Sequence, residues 1–212
     1  MKVLLLGDSI RMFYHKEVVA QLGTEYEVFA PQENGRFSAY MLNSLRFWLK
    51  EFPTPDIIHF NAGLWDAAIL YPEDGCFLPD TEYVRNMRAI LRELKATGAK
   101  IIFATTTPVS DEKAHLQGPM PPAHRNEDIA RYNRAVLKAF EKENVPINDL
   151  WGAMHPEKEK YLSEDMIHPN EAGVKLLGGM VADAIKRVGS YHNEKATAAS
   201  VSLLNKDEKT VQ

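Results

Sequence analysis

The stretch LLLGDSIRMF, residues 4–13, contains the features that decide the fold of this chain. It completes an all-apolar run near the N-terminus, and a Gly-Asp-Ser triplet ends that run at Ser9. A short apolar run that stops at turn residues is typical of a strand buried on both faces, as in a parallel sheet. Ser9 therefore lies at a strand-to-helix turn, either as a capping residue or as a reactive hydroxyl held where substrate can reach it.

Four further short runs follow the same pattern and predict a sheet of five strands. They occupy residues 26–31, 56–63, 99–108 and 145–149. Apolar residues at helical spacing lie between or after them, in residues 37–52, 81–98, 126–144 and 170–189. Strands that alternate with helices imply parallel βαβ units, right-handed crossovers and helices on both faces of the sheet. We therefore predict an α/β fold.

Composition limits the classes of protein that this chain can belong to. It has 212 residues, 45% hydrophobic and 25% charged, and a net charge of -4. These values fit one soluble domain, predicted over residues 1–189, and argue against a nucleic-acid partner. Residues 190–212 are predicted to be a polar tail that is mobile or weakly docked.

The same residues give expectations about the compartment. Cys76 is the single cysteine of the sequence, so no intramolecular disulfide can form, which suits a reducing environment. The N-terminal apolar run is too short for a secretion signal, and no later run is long enough to cross a membrane. We therefore expect a cytoplasmic protein without a membrane partner.

In open α/β sheets, ligands bind beyond the carboxyl ends of the strands. The residues that follow each predicted strand are therefore the candidates for function: Ser9, Asn34 and Gly35, residues 63–66, the proline-rich residues 107–125, and residues 163–173. Residues 107–125 are expected to form one wall of a pocket. Arg11 and Arg36 flank two of these positions, either as surface charges or as binders of a substrate carboxylate or phosphate.

Asp165 and His168 stand in an Asp-x-x-His spacing just before the last predicted helix. In a tight turn this spacing can bring a carboxylate to the imidazole Nδ1, which fixes the tautomer and stabilises the imidazolium. The alternative is that Asp165 is solvent-exposed and His168 only packs. The two residues and Ser9 belong to the same edge of the predicted sheet, which favours the catalytic interpretation.

Gly7-Asp8-Ser9 after the first strand, together with Asp165 to Pro169 near the C-terminus, resembles the SGNH hydrolases, also called the GDSL esterase/lipase family. The resemblance implies a flavodoxin-like three-layer α/β/α fold over most of the chain. It also implies that Ser9 is the nucleophile, that Asp165 and His168 complete a triad, and that the amide of Gly35 joins an oxyanion hole.

The third sequence block of the family departs from its pattern in this chain. The family has Gly-x-Asn-Asp after the third strand, with the Asn side chain donating to the oxyanion, whereas residues 63–66 read Gly-Leu-Trp-Asp. Three alternatives stay open. The indole N–H of Trp65 replaces the missing donor, the amide of Asn61 replaces it, or backbone amides suffice and Trp65 is a wall of the pocket.

The resemblance implies a serine ester hydrolase that needs no metal or organic cofactor and acts on a small-molecule ester. Removal of a short acyl group, acetyl above all, from a carbohydrate or other small ester is the leading expectation. A lysophospholipase or thioesterase for longer acyl chains is the alternative among enzymes. A non-catalytic binding module with the same fold is the alternative from another class. The sequence does not determine the oligomeric state.

Overall fold

The computed structural model describes residues 1–71, 74–110 and 123–207, with side chains as far as Ser190. It contains one five-stranded sheet with the strand order β2-β1-β3-β4-β5, in which every pair of neighbours is parallel. The strands are β1 (Lys2–Leu6), β2 (Glu27–Phe29), β3 (Ile57–Phe60), β4 (Lys100–Ala104) and β5 (Ile147–Asn148). The predicted five-stranded parallel sheet is thereby confirmed.

The helices form two layers that cover the sheet. They are α1 (Ser9–Leu22), α2 (Ser38–Glu51), α3 (Asp80–Lys95), α4 (Asn126–Phe140), α5 (Leu150–Met154), α6 (Lys158–Tyr161) and α7 (Glu171–Asp207). Helix α1 packs against α7, whereas α3 packs between α2 and α4. Strands β1 and β3 are buried between the layers, which explains their continuous apolar sequences. The arrangement is the predicted three-layer α/β/α fold.

Helix α7 is longer than predicted, because Gly189 does not end it. The helix continues to Asp207, and Gly189 has no positive φ angle. A Cβ atom at Gly189 would lie 2.9 Å from the hydroxyl of Tyr26 and 3.2 Å from the sulfur of Met1. This glycine therefore permits close packing of α7 rather than a helix stop. The weak docking predicted for residues 190–212 depends on side chains that lie outside the described residues. The domain boundary at residue 189 stays a prediction.

None of the helices in the described parts of the chain combines the length and the apolar character that a membrane span requires.

The strand order places the ligand-binding edge of the sheet beside Ser9. The chain leaves β1 towards β2 on one side and returns through α2 to β3 on the other side, so the topology switches direction between β1 and β3. The N–H of Asn61 after β3 donates to the carbonyl of Leu6 at the end of β1. The loops that follow β1, β2 and β3 consequently meet at the crevice where this fold binds ligands.

Candidate active site

Asp8, and not Ser9, caps helix α1. The Asp8 carboxylate accepts a hydrogen bond from the N–H of Ile10 at 3.0 Å, and Ser9 is the first residue of the helix. The hydroxyl of Ser9 is therefore not needed for capping. It lies 2.8 Å from Nε2 of His168, which is 159 positions away in the sequence.

A tight turn over residues 163–168 holds Asp165 against His168. One oxygen of Asp165, Oδ1, accepts hydrogen bonds from the N–H groups of Ile167 and His168 and from the hydroxyl of Ser163. The other oxygen, Oδ2, lies 2.7 Å from Nδ1 of His168. Met166 adopts a positive φ of 66°, and its carbonyl accepts from the N–H of Ser110. The turn is thus fixed both internally and to the loop after β4.

The charge of Asp165 sets the tautomer of His168. Burial alone would raise the pKa of Asp165, but the hydrogen bonds from His168, Ile167 and Ser163 outweigh it and lower the pKa to about 2. The carboxylate is ionised at neutral pH and can only accept a hydrogen bond. Nδ1 of His168 therefore carries the proton, and Nε2 is left as the acceptor for the hydroxyl of Ser9.

The ring of Phe13 also contacts His168, a contact that was not predicted from the sequence. The two rings are stacked at 4.7 Å between centroids with an interplanar angle of 15°. Phe13 stands four residues after Ser9 on α1, so the two side chains share one face of the helix. That spacing is a signal in the sequence, but it becomes informative only once the partner of α1 is known.

Asp8 is a buried carboxylate directly before Ser9. It is 1% exposed, and its second oxygen, Oδ2, has no hydrogen-bond partner among the described residues. Burial raises the pKa of Asp8 to about 6, although hydrogen bonding by Ile10 and the nearby charges of His168 and Arg11 act in the opposite direction.

Replacement of Asp8 by asparagine should change how stability depends on pH. In the folded protein the pKa of Asp8 is raised from 3.8 to about 6. The protonated carboxyl therefore stabilises wild type at low pH, and this stabilisation is lost as the pH rises through that interval. The free energy of unfolding of Asp8→Asn minus that of wild type should therefore rise by up to about 3 kcal/mol between roughly pH 4 and pH 7. Urea unfolding at a series of pH values measures this difference.

The comparison with wild type cancels most of the contribution of the other groups that titrate in this range. Burial raises the pKa of Asp66 to about 6 and lowers that of His59 to about 3, and both groups are present in both proteins. The charge of Asp8 is only a minor cause of the raised pKa of Asp66, so its removal changes that pKa little. A difference in unfolding free energy that does not change with pH would contradict the assigned behaviour of Asp8.

Arg11 and Arg36 differ in their surroundings. Arg11 is 4% exposed, and its guanidinium donates to the carbonyls of Pro31 and Glu33 at 3.0 and 2.8 Å. It therefore fixes the loop after β2 to helix α1 and is not displayed to substrate. Arg36 is exposed and lies over the ring of Tyr40.

Gly35 lies beside the turn of residues 7–9, but its amide already has a partner. The N–H of Gly35 donates to the carbonyl of Gly7 at 3.0 Å. A Cβ atom at Gly35 would lie 2.5 Å from the same carbonyl oxygen, so this close approach requires glycine. The oxyanion role of Gly35 stays a prediction, and this hydrogen bond counts against it.

Asn61 and Trp65 have different surroundings at the end of β3. The side-chain amide of Asn61 donates to the carbonyl of Ala104 at 2.7 Å and lies 3.4 Å from the hydroxyl of Thr106. Asn61 thus joins the ends of β3 and β4. Trp65 is 40% exposed and lines a cavity beside Ser9.

Asp66 connects the loop after β3 with the start of α2. Its carboxylate accepts from the N–H of Ser38 at 3.0 Å and from the hydroxyl of Ser38 at 2.5 Å. Asn86 donates to the same hydroxyl at 3.1 Å. The aspartate of the third block therefore has a structural contact here, which holds the loops after β2 and β3 together.

A cavity of about 280 Å³ opens at the hydroxyl of Ser9. Four of its lining residues are apolar, and His124, whose Nε2 donates to the carbonyl of Leu64, closes one side. The lining residues are Ser9, Asn34, Leu64, Trp65, Ala68, His124, Ile167 and His168. Most of the proline-rich segment predicted as a pocket wall, residues 111–122, lies outside the described residues, whereas His124 at its end lies in the cavity.

Comparison with known proteins relates this chain to one family. The sequence model of the GDSL-like Lipase/Acylhydrolase family matches residues 15–176. A GDSL esterase/lipase of Arabidopsis thaliana is 29% identical over 121 residues, which are 53% of this chain and 50% of that protein. The chain therefore spans about half of the length of this curated relative.

Solved structures give the same result for the fold. A lipase/acylhydrolase from Enterococcus faecalis superposes with a TM-score of 0.69 at 19% identity, over 87% of this chain and 95% of its own. An acetyl xylan esterase gives a TM-score of 0.66 at 16% identity, over 87% of this chain and 100% of its own. The esterase EstA from Pseudoalteromonas sp. gives 0.63 at 16% identity, over 89% and 98%.

Such low identities show a common fold and no more, whereas the family match extends over most of the sequence. The chain belongs to the GDSL-like lipase/acylhydrolase family.

Proposed function

We propose that this protein is a serine ester hydrolase that removes a short acyl group, with acetyl the leading candidate, from a carbohydrate or other small ester. The observation that carries the proposal is the continuous hydrogen-bonded chain from Asp165 through His168 to Ser9. This chain ends at a cavity on the ligand-binding edge of the sheet. Carboxylate, imidazole and hydroxyl in this order are the groups that nucleophilic acyl transfer requires.

The first half of the reaction forms an acyl-enzyme. The Oγ atom of Ser9 attacks the ester carbonyl carbon while Nε2 of His168 takes the hydroxyl proton. The Asp165 carboxylate stabilises the imidazolium that results. The N–H of Ser9 lies in the first turn of α1, where N–H groups have no partner within the helix, and it can donate to the developing oxyanion.

The acyl-enzyme forms when the tetrahedral intermediate collapses: the bond to the alcohol oxygen breaks, and Nε2 of His168 gives its proton to the leaving alkoxide. The second half of the reaction releases the acid. Water then attacks the acyl carbon and passes a proton to Nε2. Breakdown of the second tetrahedral intermediate returns that proton to Oγ of Ser9 and releases the carboxylic acid.

The dimensions of the cavity support a short acyl group. Its volume of about 280 Å³ lies at the small end for a ligand site. The apolar side chains of Leu64, Ala68 and Ile167 line it, and they suit a few carbon atoms rather than a charged group. A lysophospholipase or thioesterase reaction on longer chains is the less favoured alternative.

Hydrolysis of p-nitrophenyl esters of increasing acyl length tests this proposal. We expect kcat/KM to be highest for the acetate or butyrate and to fall about tenfold or more for the octanoate, because a cavity of about 280 Å³ must hold the alcohol part of the ester as well as the acyl chain. Ser9→Ala supplies the background rate. A maximum at octanoate or longer would assign the longer-chain alternative. Hydrolysis of every ester at the background rate would favour a non-catalytic binding module.

A further inference from the structure

The turn that carries Ser9 supplies one evident oxyanion donor, the N–H of Ser9, and two of the other predicted donors are already engaged. The N–H of Gly35 donates to Gly7, and the side-chain amide of Asn61 donates to Ala104. Trp65 stands where the family has a donating asparagine. Two fifths of the surface of Trp65 is exposed, and no hydrogen bond with a described residue fixes its indole ring. A preorganised donor is one whose direction is set before the reaction, and Trp65 does not satisfy that condition.

Asn34 satisfies the condition. It lines the same cavity as Ser9 and His168, and it is partly buried. Its Oδ1 accepts a hydrogen bond from the N–H of Arg36 at 2.8 Å. Because an N–H group needs an acceptor, the amide oxygen must face Arg36, and Nδ2 points away from it. No residue in the described parts of the chain accepts a hydrogen bond from this Nδ2.

The loop that carries Asn34 is fixed to the turn that carries Ser9. Residues on both sides of Asn34 are held by that turn and its helix: the N–H of Gly35 donates to Gly7, and the guanidinium of Arg11 donates to the carbonyl of Glu33. The N–H of Arg36 donates to the side chain of Asn34 two residues before it, as in an Asx turn. The position of Asn34 relative to Ser9 is thus set by short hydrogen bonds on both sides.

We infer that Nδ2 of Asn34, in the loop after β2, is the side-chain donor to the oxyanion. It takes the role of the family's asparagine in the loop after β3, a position that Trp65 occupies in this chain. This inference rests on the proposed ester hydrolysis at Ser9. In the tetrahedral intermediate the oxyanion accepts one hydrogen bond from the N–H of Ser9 and one from Nδ2 of Asn34. The donor is neutral and needs no proton transfer, so the rest of the reaction is unchanged.

Two substitutions at Asn34 separate donation from loop structure. Asn34→Ala removes both the Nδ2 donor and the oxygen that accepts a hydrogen bond from the N–H of Arg36. Asn34→Asp retains an oxygen for the N–H of Arg36 and hence the loop, but it replaces the donor by an acceptor. We expect kcat for p-nitrophenyl acetate to fall about a hundred- to a thousandfold in Asn34→Ala, with KM nearly unchanged, and at least as far in Asn34→Asp.

An aryl boronic acid supplies a second measurement, because it adds to Oγ of Ser9 as a tetrahedral anion. Its inhibition constant should rise in Asn34→Ala by about the same factor as kcat/KM falls, whereas a change in loop structure alone would not link the two. Trp65→Phe tests the alternative donor. Asn43→Ala, the same substitution at an exposed position of α2 outside the cavity, is the matched control and should keep wild-type kcat within about threefold.

The possible outcomes are distinct. Activity of Asn34→Asp within threefold of wild type would show that only the loop matters and would overturn the inference. A hundredfold loss in Trp65→Phe with an active Asn34→Ala would assign the indole N–H instead and would also overturn it. If wild type itself hydrolyses no ester above Ser9→Ala, the proposed function fails, and that result is separate from either of these.

Discussion

Replacement of His168 by alanine is expected to lower kcat for p-nitrophenyl acetate by about a millionfold, and Ser9→Ala should have an effect of similar size. The reason is that the two groups act as one unit. Nε2 lies 2.8 Å from Oγ of Ser9, so either substitution removes the transfer of the hydroxyl proton on which nucleophilic attack depends. Steady-state rates of the single variants and of Ser9→Ala/His168→Ala measure the effect.

The double variant distinguishes a shared mechanism from two independent ones. Groups that act together give losses that do not multiply, so the double variant should be about as active as either single variant. Thermal unfolding should show that all three proteins remain folded, because Ser9 and His168 are partly exposed and lie outside the apolar core. A folded His168→Ala variant within tenfold of wild type would contradict the role of His168 as general base.

Asp165→Asn is expected to lower kcat by about ten-thousandfold. Its remaining oxygen can still accept from Ser163, Ile167 and His168, which retains the turn. The new NH₂ group faces Nδ1 of His168, which must then become an acceptor. The proton moves to Nε2, and the hydroxyl of Ser9 loses its base. The measurement is kcat for p-nitrophenyl acetate at neutral pH, where Asp165 is ionised in wild type.

Glu171→Gln is the matched control for Asp165→Asn. It also replaces a carboxylate near His168 in the sequence, but Glu171 is exposed and pairs with Lys175 in the first turn of α7. Its activity should equal that of wild type. Equal activity of Asp165→Asn and wild type would remove Asp165 from the mechanism and leave it a purely structural role in the turn.

The arrangement of the sheet could be predicted from the sequence because burial on both faces leaves a strong pattern. The end of α7 could not be predicted in this way. Gly98 and Gly189 give the same signal after a helical pattern, yet Gly98 has a φ of 81° and follows the end of α3, whereas Gly189 remains helical against Tyr26. The difference is a tertiary contact, and a sequence without its fold does not contain that contact.

The sequence predicted some residues of the candidate site but not the contacts that orient them. Ser9, Asp165 and His168 could be named because Gly7-Asp8-Ser9 and the Asp-x-x-His spacing resemble the first and last sequence blocks of the family. Asn34 was placed at the correct edge of the sheet, but its orientation depends on the hydrogen bond from Arg36. The engagement of Gly35 by the Gly7 carbonyl depends on a close backbone approach, which no local pattern encodes.

Reaction with a fluorophosphonate probe, followed by mass spectrometry of the digested protein, tests most directly whether Ser9 is an activated nucleophile. The phosphorus atom is attacked by an activated serine, fluoride leaves, and a covalent adduct remains. We expect one adduct per chain, located on Ser9, with none in Ser9→Ala and far slower formation in His168→Ala. Wild type that forms no adduct, or forms one on a different residue, would contradict the account.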